Sequence, residues 1–366
     1  MNRGSSKKSG PQRFRPLGII FAILGLLLFA YFVKKAGVAE IVEGIKRLGA
    51  GFLLVLLISA IRPVVRSLTW TRSFEGPHRL RFRDAFRAYV VGDAVGTLVP
   101  LGIFVSEPAK AALVRDRVPL VTGLSALAVE NIFYSLSVVL FIFSGTVALL
   151  LSFPLPNSLW ITSVGALVVI LAIIPLAFLV IRRQWKFLSG AIEYLYGRGI
   201  GRRLLENRRE GVRAVEERIY GFYERNGSRF LPILLLEALF HLAGVAEVYV
   251  TLYFISSEPP TLLTAFVLES VNRFINVAFK FVPLRMGVDE AGTGLLTKVL
   301  NFGTASGVTL AIIRKARIIC WTALGVALLV RRGLSLQKVA EETQEIVAGE
   351  VGAARASAIL PSGESR

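Results

Sequence analysis

Polar side chains follow one face of an otherwise apolar segment between residues 261 and 282. Glu269, Asn272, Arg273, Asn276 and Lys280 fall at i, i+3, i+4, i+7 and i+11, which places all five on one stripe of a helix. Ionisable side chains within apolar segments are costly and usually face a cavity or each other. We therefore favour a role in lining a site over an internal Glu269–Arg273 pair that only joins helices.

Two arginines, Arg314 and Arg317, lie one turn apart in a later apolar segment, residues 305–330. Counted from the start of the segment at about 1.5 Å per residue, Arg314 lies roughly 13 Å inside it. A guanidinium at that depth can hold a phosphate with two hydrogen bonds. The other partners that the sequence offers are the carboxylates of Glu269 and Glu290.

Two stretches share a plan that predicts a break within an apolar segment. They are LVPLGIFVSEPAKAAL, residues 98–113, and FVPLRMGVDEAGTGLL, residues 281–296. Proline has no N–H for the helix ladder and restricts the residue before it, so each stretch should end one helix and begin another. Broken helices at matching places in two halves of a membrane protein point to a transport site. The positions assigned to the breaks are Pro100, Gly102, Pro283 and Gly287.

In each stretch an acid, Glu107 or Glu290, follows the proline by seven residues. Ser106 and Asp289 precede these acids and are residue types that cap helix N-termini. A carboxylate at that place stabilises the helix end by about 0.3–1 kcal/mol, or it gates and exchanges protons at a transport site. The sequence leaves both interpretations open.

Further polar residues interrupt other apolar segments, and Lys110 follows the first break. Glu130 and Asn131 lie in the run 120–151, and Glu237 with His241 lies in the run 230–255. A Glu–His pair at i, i+4 is more often a satisfied polar contact than a metal site. We expect neither a metal nor another cofactor.

The composition predicts an all-α integral membrane protein. Hydrophobic residues make up 54% of the 366 residues, against about 45–50% in soluble domains. The formal charge of +18 is concentrated in residues 1–16, 70–119, 182–229 and 331–366, which hold five, eight, twelve and five Lys or Arg. Cytoplasmic loops of membrane proteins carry this excess, so we expect the cytoplasmic membrane with both termini inside, and no nucleic acid partner. Arg62 and Arg66, at the inner end of the second span, are explained by snorkelling.

Apolar runs of sufficient length predict spans near 17–33, 51–69, 120–151, 158–181, 230–255 and 305–330. Residues 84–119 should enter from the cytoplasm, turn near the first break and return. Residues 261–303 either form a matching hairpin from the outside or cross twice, and we favour the hairpin. The prediction is about eight membrane segments, including two re-entrant or broken helical hairpins, related as an inverted repeat.

The predicted transmembrane domain covers residues 17–332, with halves at 17–181 and 230–332. The basic tail 1–16 precedes it, and the tail 333–366 is cytoplasmic and partly disordered. Residues 182–229 mix charged and apolar positions at helical spacing, which fits amphipathic helices on the inner leaflet as well as a charged linker.

The chain resembles the lysylphosphatidylglycerol synthase transmembrane-region family. The similar residues are Trp70, the Pro-x-Gly-x-x-x-x-Glu-Pro-x-Lys run 100–110, Glu130, the Val-Pro-x-x-x-Gly-Val-x-Glu run 282–290, and Arg314 or Arg317. The family's usual Glu-Arg and Asp pattern is only partly present, since Asn131 and Tyr134 follow Glu130. The resemblance implies a flippase-like membrane domain that moves a lipid between leaflets. We expect no synthase activity, because the residues after 332 leave no room for the aminoacyl-transferase domain.

The leading hypothesis is a lipid translocase for an anionic phospholipid, a polyprenyl-linked glycolipid or a hopanoid-type lipid, and not an enzyme. Arg273, Lys280, Arg314 and Arg317 would compensate the headgroup charge. The alternatives are a membrane enzyme acting on a lipid-linked substrate and an accessory membrane subunit of a lipid or glycan pathway. The enzyme is disfavoured because the sequence has no Asp-x-Asp pair, His-centred nucleophile or phosphate loop. Expected partners are membrane lipids and possible enzymes of such pathways.

Overall fold

A computed structural model of the chain describes residues 27–98, 103–182, 225–280 and 285–331, together with Val282 and isolated positions between 190 and 222. Within these residues the regular elements are helical. Residues 27–36 are α-helical and precede the first complete helix. The complete helices are α1 (Val38–Leu48), α2 (Gly51–Ser59), α3 (Ile61–Arg72), α4 (Phe82–Leu98), α5 (Ile103–Ala112), α6 (Leu120–Ser152), α7 (Asn157–Arg182), α8 (Gly227–Ile255), α9 (Leu262–Ala278), α10 (Val288–Val299) and α11 (Gly303–Arg331).

The predicted apolar spans agree with long helices. In the described residues, Gly51–Arg72 (α2 with α3), Leu120–Ser152 and Gly227–Ile255 are long and apolar enough to cross a membrane. The predicted spans 158–181 and 305–330 correspond to α7 and α11. Helix α11 has 29 residues, as α8 does, but it carries buried charges that lower its mean hydropathy. The span 17–33 lies largely outside the described residues.

Large apolar side chains cover the outer faces of these helices. Leu57, Leu151 and Leu242 are exposed by 69%, 82% and 63%. A soluble protein would rarely leave so continuous an apolar surface in water, whereas lipid tails cover it at no cost. The apolar interior is formed mainly by α8, α9 and α11, where Leu252, Leu268 and Leu310 are buried.

The first predicted break is found between α4 and α5. These helices pack against each other as an antiparallel pair, here called the first hairpin, with Gly92 facing the backbone of Ser106. Ser106 is not the N-cap that we predicted, because α5 begins three residues earlier and the Ser106 hydroxyl donates to Asp93 at 3.4 Å. Pro100 and Gly102 lie outside the described residues.

The second predicted break lies between α9 and α10, which form the second hairpin. Gly292 of α10 faces Ile275 of α9 across the pair. Gly287 caps α10 with φ of 78°, a left-handed conformation that a glycine adopts without strain. The prediction of Asp289 as the N-cap is therefore wrong, since Asp289 is already helical. Pro283 lies outside the described residues.

The two hairpins pack reciprocally against the rest of the bundle. Helix α4 of the first hairpin contacts α11, α9 of the second hairpin contacts α6, and α3 contacts α8. A glycine permits the close approach at two of these crossings. Gly145 of α6 faces Ser270, and Gly325 of α11 faces Val90 and Ala94, so that a methyl group at either glycine would come within 2.6 Å of its neighbours. Each hairpin is thus fixed by the helix that follows the other hairpin.

Residues 34–50, which the charge pattern assigned to an outer loop, contain an additional helix, α1. Its buried side is formed by Ile41, Gly44 and Leu48, which point toward the bundle. Val38 and Val42 remain exposed on another side. This amphipathic pattern is typical of a helix lying at a membrane surface.

Candidate functional site

Four arginines surround two glutamates where α3, α8, α9 and α11 meet. We call this group the arginine cluster: Arg62, Arg273, Arg314, Arg317, Glu247 and Glu269. Glu269 lies 2.6 Å from Arg273, 3.1 Å from Arg62 and 3.6 Å from Arg314. Glu247 lies 3.2 Å from Arg62 and 2.5 Å from Arg317. Glu269 is fully buried and the least enclosed arginine side chains, Arg62 and Arg317, are 12% exposed.

The arginine cluster has an excess of positive charge. Its four guanidinium groups face two carboxylates, which leaves two formal positive charges in a buried setting. The N–H groups at Arg62 Nε, Arg273 Nε and Arg314 Nη2 find no hydrogen-bond acceptor within the described structure. Buried charges are normally paired and hydrogen-bonded. The arrangement can therefore accept an anion, and guanidinium groups match phosphate oxygens well.

A second group of charges lies at the N-terminus of α10. Lys315 of α11 lies 2.6 Å from Glu290 and 3.5 Å from Asp289. The other oxygen of Glu290 accepts a hydrogen bond from the Gly287 N–H at 2.7 Å. Arg285 lies 3.4 Å from Asp289. Since both oxygens of Glu290 have partners, this contact favours the structural interpretation, in which the carboxylate holds the second break against α11.

The third group of charges is centred on Arg66 of α3. Arg66 lies 2.7 Å from Glu130 and 3.9 Å from Glu237. Its guanidinium donates to the Tyr89 hydroxyl at 2.8 Å and to Asn131 Oδ1 at 3.0 Å. Glu130 and Glu237 are both fully buried. One arginine thus compensates two buried acids from different helices.

Lys110 of the first hairpin is also fully enclosed, although its partners are near the surface. Its ammonium lies 2.8 Å from Asp93 and 2.8 Å from Glu107, whose side chains are 53% and 33% exposed. The ammonium also lies over the ring of Tyr89 at 3.7 Å from the centroid. Gly92 leaves room for the lysine stem, because a methyl group there would come within 2.4 Å of it. These contacts join α4 and α5.

Comparison with known proteins identifies the family. The family model for the lysylphosphatidylglycerol synthase TM region matches residues 17–326. The chain belongs to this family. It is therefore a helical membrane protein of a family named for the membrane region of a lipid synthase. Neither a search of curated proteins nor a search of solved structures gave a match.

In this family member the predicted polar stripe on α9 is found, except at its end. Glu269, Asn272 and Arg273 are buried, and Asn276 is partly buried. Lys280 is exposed and lies beyond the end of α9, because Phe279 terminates the helix ahead of the break. The prediction that Lys280 shares the stripe is therefore wrong. The Asn276 side-chain oxygen is buried and accepts no hydrogen bond from the described residues.

Two arginines of α3 are not the snorkelling side chains that the sequence predicted. Arg62 belongs to the arginine cluster, and Arg66 is 5% exposed and bound to buried acids. The basic partner of Glu130 comes from α3 rather than from its own helix. The expected contact of Arg314 with Glu269 is found, whereas the partner of Glu290 is Lys315.

Four other members of the charge groups went unnoticed: Asp93, Glu247, Arg285 and Lys315. Glu247 and Lys315 interrupt apolar runs, and this signal, applied without exception, would have found both.

His241 and Glu237 are not a mutually satisfied pair. His241 Nε2 contacts the Ser137 hydroxyl at 3.0 Å, whereas Glu237 faces Arg66. Glu107 and Glu290 lie in separate groups with separate basic partners.

Proposed function

We propose that the protein is a lipid translocase of the cytoplasmic membrane. Its substrate would be an anionic phospholipid, a polyprenyl-linked glycolipid or a hopanoid-type lipid. The observation that carries this proposal is the excess positive charge of the arginine cluster, in which four guanidinium groups share two carboxylates. A lipid headgroup can enter between helices while its tails stay in the bilayer.

The arginine cluster lies between the two halves of the chain. Arg62 comes from the first half, and Arg273, Arg314 and Arg317 come from the second. A phosphate bound there would replace carboxylate contacts with phosphate contacts at little cost, because the guanidinium groups are already in place. When no headgroup is bound, Glu247 and Glu269 would offset part of the positive charge of the four arginines. When a headgroup enters, they would release guanidinium N–H groups to it.

The architecture supports an inverted repeat. Exchange of α3 with α8, α4 with α9, α5 with α10 and α6 with α11 maps the packing of α4 on α11 onto that of α9 on α6. The short arms α5 and α10 have 10 and 12 residues. At about 1.5 Å per residue they reach roughly 15–18 Å, which is less than the roughly 30 Å hydrocarbon core. We therefore infer two re-entrant hairpins that enter from opposite faces.

Orientation can be tested with introduced cysteines in a Cys320→Ser background. His78, in the α3–α4 connection, and Ser257, in the α8–α9 connection, are both exposed. We expect a membrane-impermeant maleimide to label Ser257→Cys in intact cells and His78→Cys only after permeabilisation, because basic residues are retained in the cytoplasm. Labelling of both from the same side would contradict the inverted arrangement.

Translocation can be measured with purified protein in vesicles of phosphatidylethanolamine and phosphatidylglycerol that contain a trace of fluorescent phosphatidylglycerol. Dithionite removes the signal of the outer leaflet, so movement from the inner leaflet appears as additional loss of fluorescence. We expect faster loss than in protein-free vesicles, and slower movement of fluorescent phosphatidylcholine, which has no net charge.

The Arg273→Gln variant should slow the movement of phosphatidylglycerol about 10- to 100-fold, since a hydrogen bond to a charged group contributes about 1.5–3 kcal/mol. The matched control is Arg47→Gln, because Arg47 forms an exposed pair with Glu43. Absence of acceleration by the wild-type protein, with phosphatidylglycerol and with polyprenyl phosphate alike, would refute the proposal.

A further inference from the structure

The acids around Arg66 carry an excess of negative charge that the arginine cluster does not relieve. Glu130 of α6 and Glu237 of α8 are both 0% exposed. Arg66 is the cation that lies within ion-pair distance of either, at 2.7 Å and 3.9 Å, in the described part of the chain. One positive charge therefore faces two buried negative charges.

The hydrogen bonds of Arg66 are directed elsewhere. Its Nε donates to Tyr89 and its Nη2 donates to Asn131. Across the described residues, neither oxygen of Glu130 and neither oxygen of Glu237 has a hydrogen-bond partner. An ionised carboxylate buried without hydrogen bonds is among the costliest groups in a protein interior.

A hydroxyl acceptor is available next to Glu237. Thr69 is one turn from Arg66 on α3, is also 0% exposed, and lies beside Glu237 without hydrogen-bond geometry. The Thr69 hydroxyl can donate to an ionised Glu237, and it can equally accept from a protonated Glu237. One proton would then satisfy two orphaned polar groups and remove the excess charge.

The other groups that face the pair do not supply the missing charge. The titratable or charged groups from the helices packed around it are Arg66, Tyr89, Glu107, Lys110, Tyr134 and His241. Lys110 has two carboxylates of its own at 2.8 Å, Asp93 and Glu107. The Nδ1 atom of His241 has no hydrogen-bond partner in the described residues, and the imidazole ring stacks on Phe141.

We propose that Glu130 and Glu237 form a proton-binding site that holds one proton between them, and that exchange of this proton drives lipid movement. The first part stands on the geometry alone, and the second rests on the translocase function proposed above. Glu130 belongs to the first half of the chain and Glu237 to the second. Movement of α8 relative to α3 changes how many acids Arg66 can compensate, and the proton passes between water and the freed carboxylate.

The bound proton can be detected by infrared spectroscopy of the protein purified in dodecyl maltoside, a detergent without the ester carbonyl groups of phospholipids. A protonated carboxyl group has a C=O stretch that an ionised carboxylate lacks. We expect this band at neutral pH in the wild-type protein and its loss or marked reduction in both Glu130→Gln and Glu237→Gln, which mimic the neutral acid and should fold. The matched control is Glu43→Gln, an exposed acid in an i, i+4 pair. A wild-type protein without the band, or a band that survives in both variants, would overturn the proton site.

Coupling is tested in the same phosphatidylethanolamine and phosphatidylglycerol vesicles with an imposed pH gradient. One proton per lipid converts a gradient of about 1 pH unit into about a tenfold ratio of the labelled lipid between leaflets. We expect this ratio for the wild-type protein and no response to the gradient for Glu237→Gln. Lipid movement that does not depend on the pH gradient would overturn the proposed coupling but would leave the proposed translocase function intact. If the wild-type protein moves no lipid, the proposed function and the coupling both fall, and the infrared band still decides the proton site.

Discussion

Replacement of Glu269 by glutamine is expected to lower the free energy of unfolding by about 3–5 kcal/mol, which is the usual effect of removing one partner from a buried ion pair. Glu269 is fully buried and contacts Arg62, Arg273 and Arg314. Its loss leaves four guanidinium groups with the single carboxylate of Glu247. The variant should be detected by a lowered midpoint of thermal unfolding in detergent, followed by circular dichroism.

Two controls distinguish this charge effect from a loss of packing. The double variant Glu269→Gln with Arg273→Gln removes one charge of each sign, and a double-mutant cycle should show recovery of part of the loss. Glu43→Gln breaks an exposed pair, and such pairs contribute about 0–1 kcal/mol. Inorganic phosphate should stabilise the single variant more than it stabilises the wild type. A Glu269→Gln variant as stable as Glu43→Gln would show that the arginine cluster is not held together by its acids.

Replacement of Arg66 by methionine should destabilise the protein by a similar amount, about 3–5 kcal/mol. The variant keeps an apolar stem of similar length but leaves Glu130 and Glu237 without a cation, and it also removes the hydrogen bonds to Tyr89 and Asn131. Arg66→Lys should be intermediate, because an ammonium keeps the charge but cannot make the same set of planar hydrogen bonds. The same thermal unfolding experiment measures both.

The matched control for Arg66 is Arg47→Met, since Arg47 is half-exposed and paired with Glu43 at 3.3 Å. A second substitution, Glu237→Gln, should restore part of the stability of Arg66→Met by removing one of the two stranded acids. If Arg66→Met behaves like Arg47→Met, then Arg66 reaches water and the snorkelling interpretation from the sequence would be correct after all.

The long helices and the two breaks could be predicted from the sequence because they depend on local properties. An apolar run of about 20 residues is long enough to cross a bilayer whatever surrounds it, and the ends of α6 and α8 follow this rule. A proline removes a backbone donor at its own position, so the interruptions near residues 100 and 283 needed no knowledge of neighbours. The stripe through Glu269 and Arg273 likewise follows from the period of the helix.

The local signals were weaker where the backbone geometry of a turn mattered. Ser106 and Asp289 have the residue types of N-caps, but α5 begins at Ile103 and α10 is capped by Gly287. Lys280 has the right spacing for the stripe and still lies outside it, since α9 ends before the break. Residue type gives a preference for a helix end, and the packing of the hairpin decides where that end falls.

The sequence by itself determined that this protein is a helical membrane protein with two interrupted segments and ionisable residues in its interior. Only the tertiary structure decided which charges meet. Arg62 and Glu269 are 207 positions apart and lie 3.1 Å from each other, and Arg66 reaches acids on both α6 and α8. A charged residue within an apolar run requires a partner. Which residue becomes that partner depends on where the helices cross, and the crossings depend on side-chain packing along the whole bundle.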